Sequence, residues 1–130
     1  MSRPTRDRGA LALSFLLLFT LVLAGGGLIL DGGRAMAARR HAANVAEGAA
    51  RAAVSTATPV QAFDTSVARE LAVEFAGRAG IAPHDVVVVV AADVVTVTVT
   101  ERRRAVFLVF AGAPMMTVRA TGHARVVFSG

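Results

Sequence analysis

The chain has 130 residues with no cysteine, tryptophan or tyrosine, and its 14 basic residues, all arginine, outweigh 9 acidic ones to give a net charge of +5. The lack of cysteine excludes disulfide stapling, thiolate metal sites and thiol catalysis. The positive balance favours anionic neighbours.

From Ala10 to Leu30 no residue is charged, and these 21 residues make a helix of about 31 Å, the thickness of a bilayer core. A secretory signal has a shorter apolar run followed at once by a small-residue cleavage site. The A-x-A sequence here, Ala35-Met36-Ala37, comes only after Asp31 and Arg34, so a retained anchor is expected. About 100 residues remain for one small domain. The positive-inside count is balanced, with Arg3, Arg6 and Arg8 before the span and Arg34, Arg39 and Arg40 after it. A short tail is easier to retain inside than a long domain. The expected topology is single-pass in the cytoplasmic membrane, with the N-terminus inside and the C-terminal domain outside.

No proline interrupts the sequence between Ala10 and Pro59, and Arg34 to Val54 is rich in the strong helix formers Ala and Arg, so the anchor is expected to continue as one long helix. On a helical wheel Ala35, Ala38, Ala42, Ala46, Ala49 and Ala53 share a narrow face, opposite Arg34, Arg40, His41, Asn44, Glu47 and Arg51. An alanine face permits close backbone approach. It suits either packing on a neighbouring subunit's helix, homo-oligomer included, or packing on the chain's own domain.

The run LDGGRAMAARRHAANVAEGAARAAV resembles the N-terminal signature of TadE/TadG-like proteins of the tight-adherence (Flp-type) pilus assembly system. Asp31, Gly33, Arg34, Arg39, Arg40 and Asn44, followed by Ala46, Ala49 and Ala50, keep the family's order. Ala43 stands where Gln is common and Glu47 where Asp is common. The resemblance implies a membrane-anchored pilin-like subunit, either a minor pilin or an assembly component, whose partners are the lipid bilayer and other pilus or secretion-system subunits. It also raises prepilin-type processing between Gly9 and Ala10 after a basic leader, which would leave the apolar helix in place. Ser14 occupies the position where such chains carry an acid.

Gly25, Gly26 and Gly27 fall late in the span, with Gly32 and Gly33 just beyond it. They read either as the ordinary glycine content of membrane helices or as a hinge. Residues 55–63 read as a linker with turn chemistry. Asp64, Thr65 and Ser66 offer caps to a second helix on which Val67, Leu71 and Phe75 repeat, with Ala68 and Ala72 beside them, and which Gly80 and Pro83 terminate.

Three strands are expected next. Val86 to Ala91 is continuously apolar, Val94 to Thr100 alternates, and Ala92-Asp93 makes the intervening turn. The last strand places Val118, Ala120, Gly122, Ala124, Val126 and Phe128 on one face and Arg119, Thr121, His123 and Arg125 on the other. This is the pattern of an antiparallel sheet covered on one side by a helix. The fold class is therefore α+β, with a long N-terminal transmembrane helix feeding a second helix and a small sheet of about three strands; the name pilin-like for this plan comes from the resemblance.

Between the second and third strands lies ERRRAVFLVFAGAPMM, whose apolar part is too short for another span. It reads as a loop and short helix buried under the sheet. Alternatively it docks on anionic headgroups or a partner, with Arg102, Arg103 and Arg104 at the rim. Arg119, His123 and Arg125 on the open sheet face are further candidate contacts.

His41, His84 and His123 lack metal-ligand spacing, there is no G-x-S-x-G elbow, and the acids are scattered. No catalytic residue, cofactor or small-molecule substrate is indicated, and a structural role is expected. Nucleic-acid binding has the charge in its favour but lacks the aromatic stacking residues of a single-strand groove. A DNA-handling pseudopilin and an anchored binding module for an envelope ligand stand as the alternatives.

Overall fold

A computed structural model of the chain describes residues 5–55, 57 and 63–127, with side chains from residue 8 onward. The first residues of the basic tail, most of the 55–63 linker including Pro59, and Phe128 lie outside the described residues.

One helix, α1 (Thr5–Val54), runs for 50 residues, about 75 Å at the standard rise. It passes through Gly25–Gly27 and Gly32–Gly33 without a break. Helix α2 (Thr65–Arg78) follows. Asp64 caps it, its carboxylate accepting from the Ser66 amide at 2.8 Å and the Ser66 hydroxyl at 2.6 Å, which satisfies donors that a helix start leaves open. Gly80, at φ +85°, supplies the left-handed turn after it.

Strands β1 (Val86–Ala91), β2 (Val94–Arg104) and β3 (Met115–Arg125) form one antiparallel sheet in the order β1-β2-β3. The chain is α+β, as expected. Thr96 pairs with His123, Val97 with Gly122 and Val99 with Ala120. This register places the apolar alternation of β2 and β3 on one face.

That face lies on α1. Val95, Val97 and Val99 are fully buried with Ala42, Ala46, Ala49, Ala50 and Ala53, and each buried valine stabilises the fold by roughly 1.5–3 kcal/mol. The closest approach is at Gly122, where a Cβ would come within 2.5 Å of the Ala46 carbonyl oxygen. Helix backbone thus rests directly on sheet backbone. Small residues are required on both sides, which is the physical reason for the alanine stripe. Of the two uses of that stripe, packing on the chain's own domain is the one found. Ala35 is half-buried, and Ala38, Ala42, Ala46, Ala49 and Ala53 are buried inside the chain, so they are not open to a neighbouring helix.

The structure resolves which face of α2 is buried and corrects two further expectations. Helix α2 buries Ala68, Ala72 and Ala76, while Val67 is exposed and Leu71 and Phe75 are half-buried. The α1–α2 contact is also close, and the Phe75 ring fills the space above Gly48, where a Cβ would meet it at 2.5 Å. The strands extend beyond the alternating segments, with Arg102, Arg103 and Arg104 in β2 opposite Thr117, Met116 and Met115 in β3. The apolar run after them is not buried under the sheet, since Val106, Val109 and Phe110 are exposed. Asp31 holds it against α1 instead.

Candidate functional site

Asp31 is the most deeply buried charged residue of the described chain, at 1% exposure. It lies one residue beyond the uncharged span, on the α1 face that also carries Gly27 and Ala38. Its carboxylate accepts three backbone hydrogen bonds, from the amides of Val106 at 3.0 Å, Phe107 at 2.8 Å and Leu108 at 2.8 Å. These donors, led by Val106, outweigh the effect of burial and hold the Asp31 carboxyl below the usual carboxylate range, with the Arg34 charge adding to the effect. One helical turn earlier, the Phe107 ring occupies the space in which Gly27 has no side chain. A 3₁₀ turn, Leu108–Ala111, follows and closes at Gly112, φ +80°. The segment after β2 is therefore an apolar finger clamped to α1 by one acid and one glycine.

Above Asp31 lies an ionic layer. Glu101, 6% exposed, faces α1 from β2 and bonds His41 Nδ1 at 2.9 Å and Arg103 Nε at 2.6 Å. Arg102 points to the other side of the sheet and pairs with Asp85 at 2.6 Å. Arg104 and Arg34 make no ion pair among the described residues. Arg34, His41, Arg103 and Arg104 line an open cleft of about 580 Å³. The three consecutive arginines thus divide between two faces of β2.

Arg119, His123 and Arg125 lie exposed on the sheet face away from α1. His123 Nδ1 bonds the Thr96 hydroxyl at 3.0 Å and Arg125 pairs with Asp93 at 3.2 Å. His123 and Arg125 sit several pairs from the ionic layer in register; Arg119, opposite Thr100, is next to it in register but on the other face of the sheet, so the three form no common cluster with it. Arg39, Arg40 and Asn44 are exposed along the back of α1, as is Gly33, and Gly9 and Ala10 are exposed at its start. No group of three or more His, Asp or Glu side chains placed to hold a metal occurs among the described residues.

Sequence reasoning missed the roles of Asp31, Glu101, His41 and Gly27. A signal was present for two of them. The alanine face, followed back toward the N-terminus, passes through Asp31 and Gly27, and an acid on a face destined for burial requires hydrogen-bond donors.

Comparison with known proteins adds one finding: residues 9–58 match the family described as Flp pilus-assembly TadE/G-like. No curated protein and no solved structure matches the chain. The matched segment coincides with the span, Asp31 and the whole alanine face.

Proposed function

From the TadE/G-like identity of residues 9–58, we propose that the chain is a membrane-anchored structural subunit of a Flp-type pilus or related secretion system, a minor pilin or an assembly component. The observation that carries this reading is the coincidence of the matched segment with α1, whose helix has a mean hydropathy of 2.4 in its most apolar window and continues unbroken into the buried seam of the domain. The membrane end and the seam of the domain are parts of one unbroken helix. In this reading the N-terminus lies in the cytoplasm and the sheet outside, since a long domain crosses a membrane largely regardless of its charge.

The work of such a subunit is lateral association, with no chemical step. Because the alanine face is occupied by the chain's own sheet, association uses the surfaces of α1 that the fold leaves open. These are the lipid-facing span and the row Arg39, Arg40, Asn44 outside it. In a bilayer, helix contact comes from close packing and hydrogen bonds rather than from expulsion of water, and the arginine row adds charge-dependent choice of partner.

Photo-crosslinkers at Leu21 and Asn44 in living cells test this. Capture of the chain itself or of a pilus-system neighbour is expected. If neither position captures protein while Arg119 and His123 on the sheet do, α1 is only an anchor and the sheet is a binding module for an envelope ligand.

A further inference from the structure

We propose that the finger Val106–Ala111 is a second membrane-embedded element, seated in the leaflet on the domain side against α1, with Arg34, Arg103 and Arg104 above it receiving the phosphate of an anionic lipid headgroup. The inference rests on the reading of α1 as a membrane span.

Depth is the first argument. Phe107, Phe110 and Ala111 border an open apolar groove whose other wall is Leu23, Ala24 and Leu28 of the span. At 1.5 Å per residue, that wall lies about 3–11 Å below Leu30, the depth of an interfacial apolar segment. If α1 crosses the bilayer, a finger fixed to this part of it lies among acyl chains.

The exposed surface is the second. Phe110 is 88% exposed, and Val106, Val109 and Met115 are also exposed. None of them belongs to the hydrophobic core of the domain. The surface continues the exposed apolar surface of the span, so a single occupant, lipid, covers both.

The third argument is the backbone. Irregular chain at membrane depth leaves amides that no water can satisfy. Here the Val106, Phe107 and Leu108 amides donate to Asp31, and those of Ala105, Phe110, Gly112 and Ala113 donate to carbonyls within the finger and its base. Pro114 has no amide hydrogen. Most amides of the finger and its base thus find partners inside the protein.

Charge completes the match. The cleft lined by Arg34, Arg103 and Arg104 stands on the water side of Asp31. Glu101 neutralises Arg103 in part, whereas Arg104 and Arg34, the latter felt by Asp31 only at a distance, form no salt bridge among the described residues. A phosphate here would lie farther along α1 than the apolar groove, on the domain side of it, and the groove is open to an acyl chain of the same lipid.

The absence of native tryptophan makes a direct test available. The full chain, carrying Phe110→Trp, is reconstituted in phosphatidylcholine vesicles with and without phosphatidylglycerol. Leu17→Trp serves as the span control and Val87→Trp as the sheet control. Brominated phosphatidylcholine should quench the Phe110→Trp and Leu17→Trp variants several-fold more than Val87→Trp, and iodide should show the reverse order. Val109→Trp replaces Phe110→Trp if that variant does not fold. Iodide access to the finger with lipid quenching at Leu17→Trp overturns the inference and leaves the span intact. Iodide access at both sites overturns the span reading as well. Shielding of the finger from both quenchers means that protein covers it, which also overturns the inference. For the headgroup, spin-labelled lipid selectivity for phosphatidylglycerol over phosphatidylcholine should fall in the double variant Arg34→Gln, Arg104→Gln, by on the order of fivefold per arginine. Unchanged selectivity removes the arginines from the proposal.

Discussion

Replacing Gly122 by alanine probes the contact on which the fold is built. The added Cβ would stand 2.5 Å from the Ala46 carbonyl oxygen, whereas ordinary contact begins at 3.4 Å. The obstacle is helix backbone, which no rotamer change can move. Helix α1 and the sheet must therefore part by nearly an ångström along the seam that buries Ala42, Ala46, Val97 and Val99. A gap of that size forfeits about a quarter to a half of the dispersion attraction across it, and overpacking of a well-packed core costs about 1–3 kcal/mol. Because backbone is what yields, the upper end is expected, near 3 kcal/mol, a large share of the roughly 5–15 kcal/mol of a small domain. At about 4–8 °C per kcal/mol, melting should fall by more than about 10 °C. Gly77→Ala is the matched control, since a Cβ at Gly77 in α2 meets nothing within 4 Å; it should raise stability by up to about 1 kcal/mol. The assay is thermal melting in detergent, followed by circular dichroism and by pulsed thiol labelling of an Ala49→Cys reporter at a fully buried position in a chain without native cysteine. If Gly122→Ala melts with the parent protein, or if Gly77→Ala loses as much as Gly122→Ala, direct backbone contact is not what holds the sheet to the helix.

Ala92 takes up φ +52° in the β1–β2 turn, a conformation that costs an L-residue about 1–2 kcal/mol. Ala92→Gly should stabilise the domain by about 0.5–1 kcal/mol after the added freedom of the unfolded chain is subtracted, and an unchanged or lower melting temperature would contradict this. Ala42→Leu should destabilise the domain by at least about 1–3 kcal/mol, because Ala42 is fully buried. Asn44→Leu on the exposed side should stay within about 0.5 kcal/mol of the parent, and equal melting temperatures would be inconsistent with the buried seam. The lowered folded-state pKa of Asp31 means that its clamp is fully present above the ordinary value of 3.8 and is lost as pH falls through the folded value. The amide resonances of Val106, Phe107 and Leu108 should therefore be flat from neutral pH to about pH 5 and move only in stronger acid; a midpoint above the ordinary carboxylate value would contradict the assignment. Asp31→Asn brings amide hydrogens toward those three donors, and hydrogen exchange at the same amides should accelerate at neutral pH.

Strand pairs and the long helix were legible because their periods are written in side chains that alternate or recur: the Val-Thr alternation of residues 94–100, the small-residue alternation from Val118, and the alanine stripe. The stripe's destination was not legible, since close packing on a sheet and close packing on a foreign helix select the same residues. Only Gly122, a position on another element, separates them. The buried side of α2 was not legible for a related reason. Hydrophobic ranking places Val67, Leu71 and Phe75 inside, but two helices that approach through alanine and Gly48 leave room for only one ring, that of Phe75. The Arg102–Arg104 run concealed the end of β2, because arginine has no strand signature and its place in the ladder comes from pairing with Met115, Met116 and Thr117. Composition shows that the finger is apolar. Whether it turns inward to the sheet or outward depends on Asp31, distant in sequence.

The continuity of α1 couples angle to length. With no break in the helix between the apolar run and the seam, the compass bearing of the open sheet face follows the phase of a single screw. One residue inserted low in the span, before Thr20, would turn the domain by about 100° relative to everything that grips the helix below and raise it by about 1.5 Å. Four inserted residues would nearly restore the bearing at a greater height. In the proposed single-pass arrangement, a neighbour that held the lower span would set where the Arg119 and His123 face points, and the helix would work as a keyed shaft rather than as a tether.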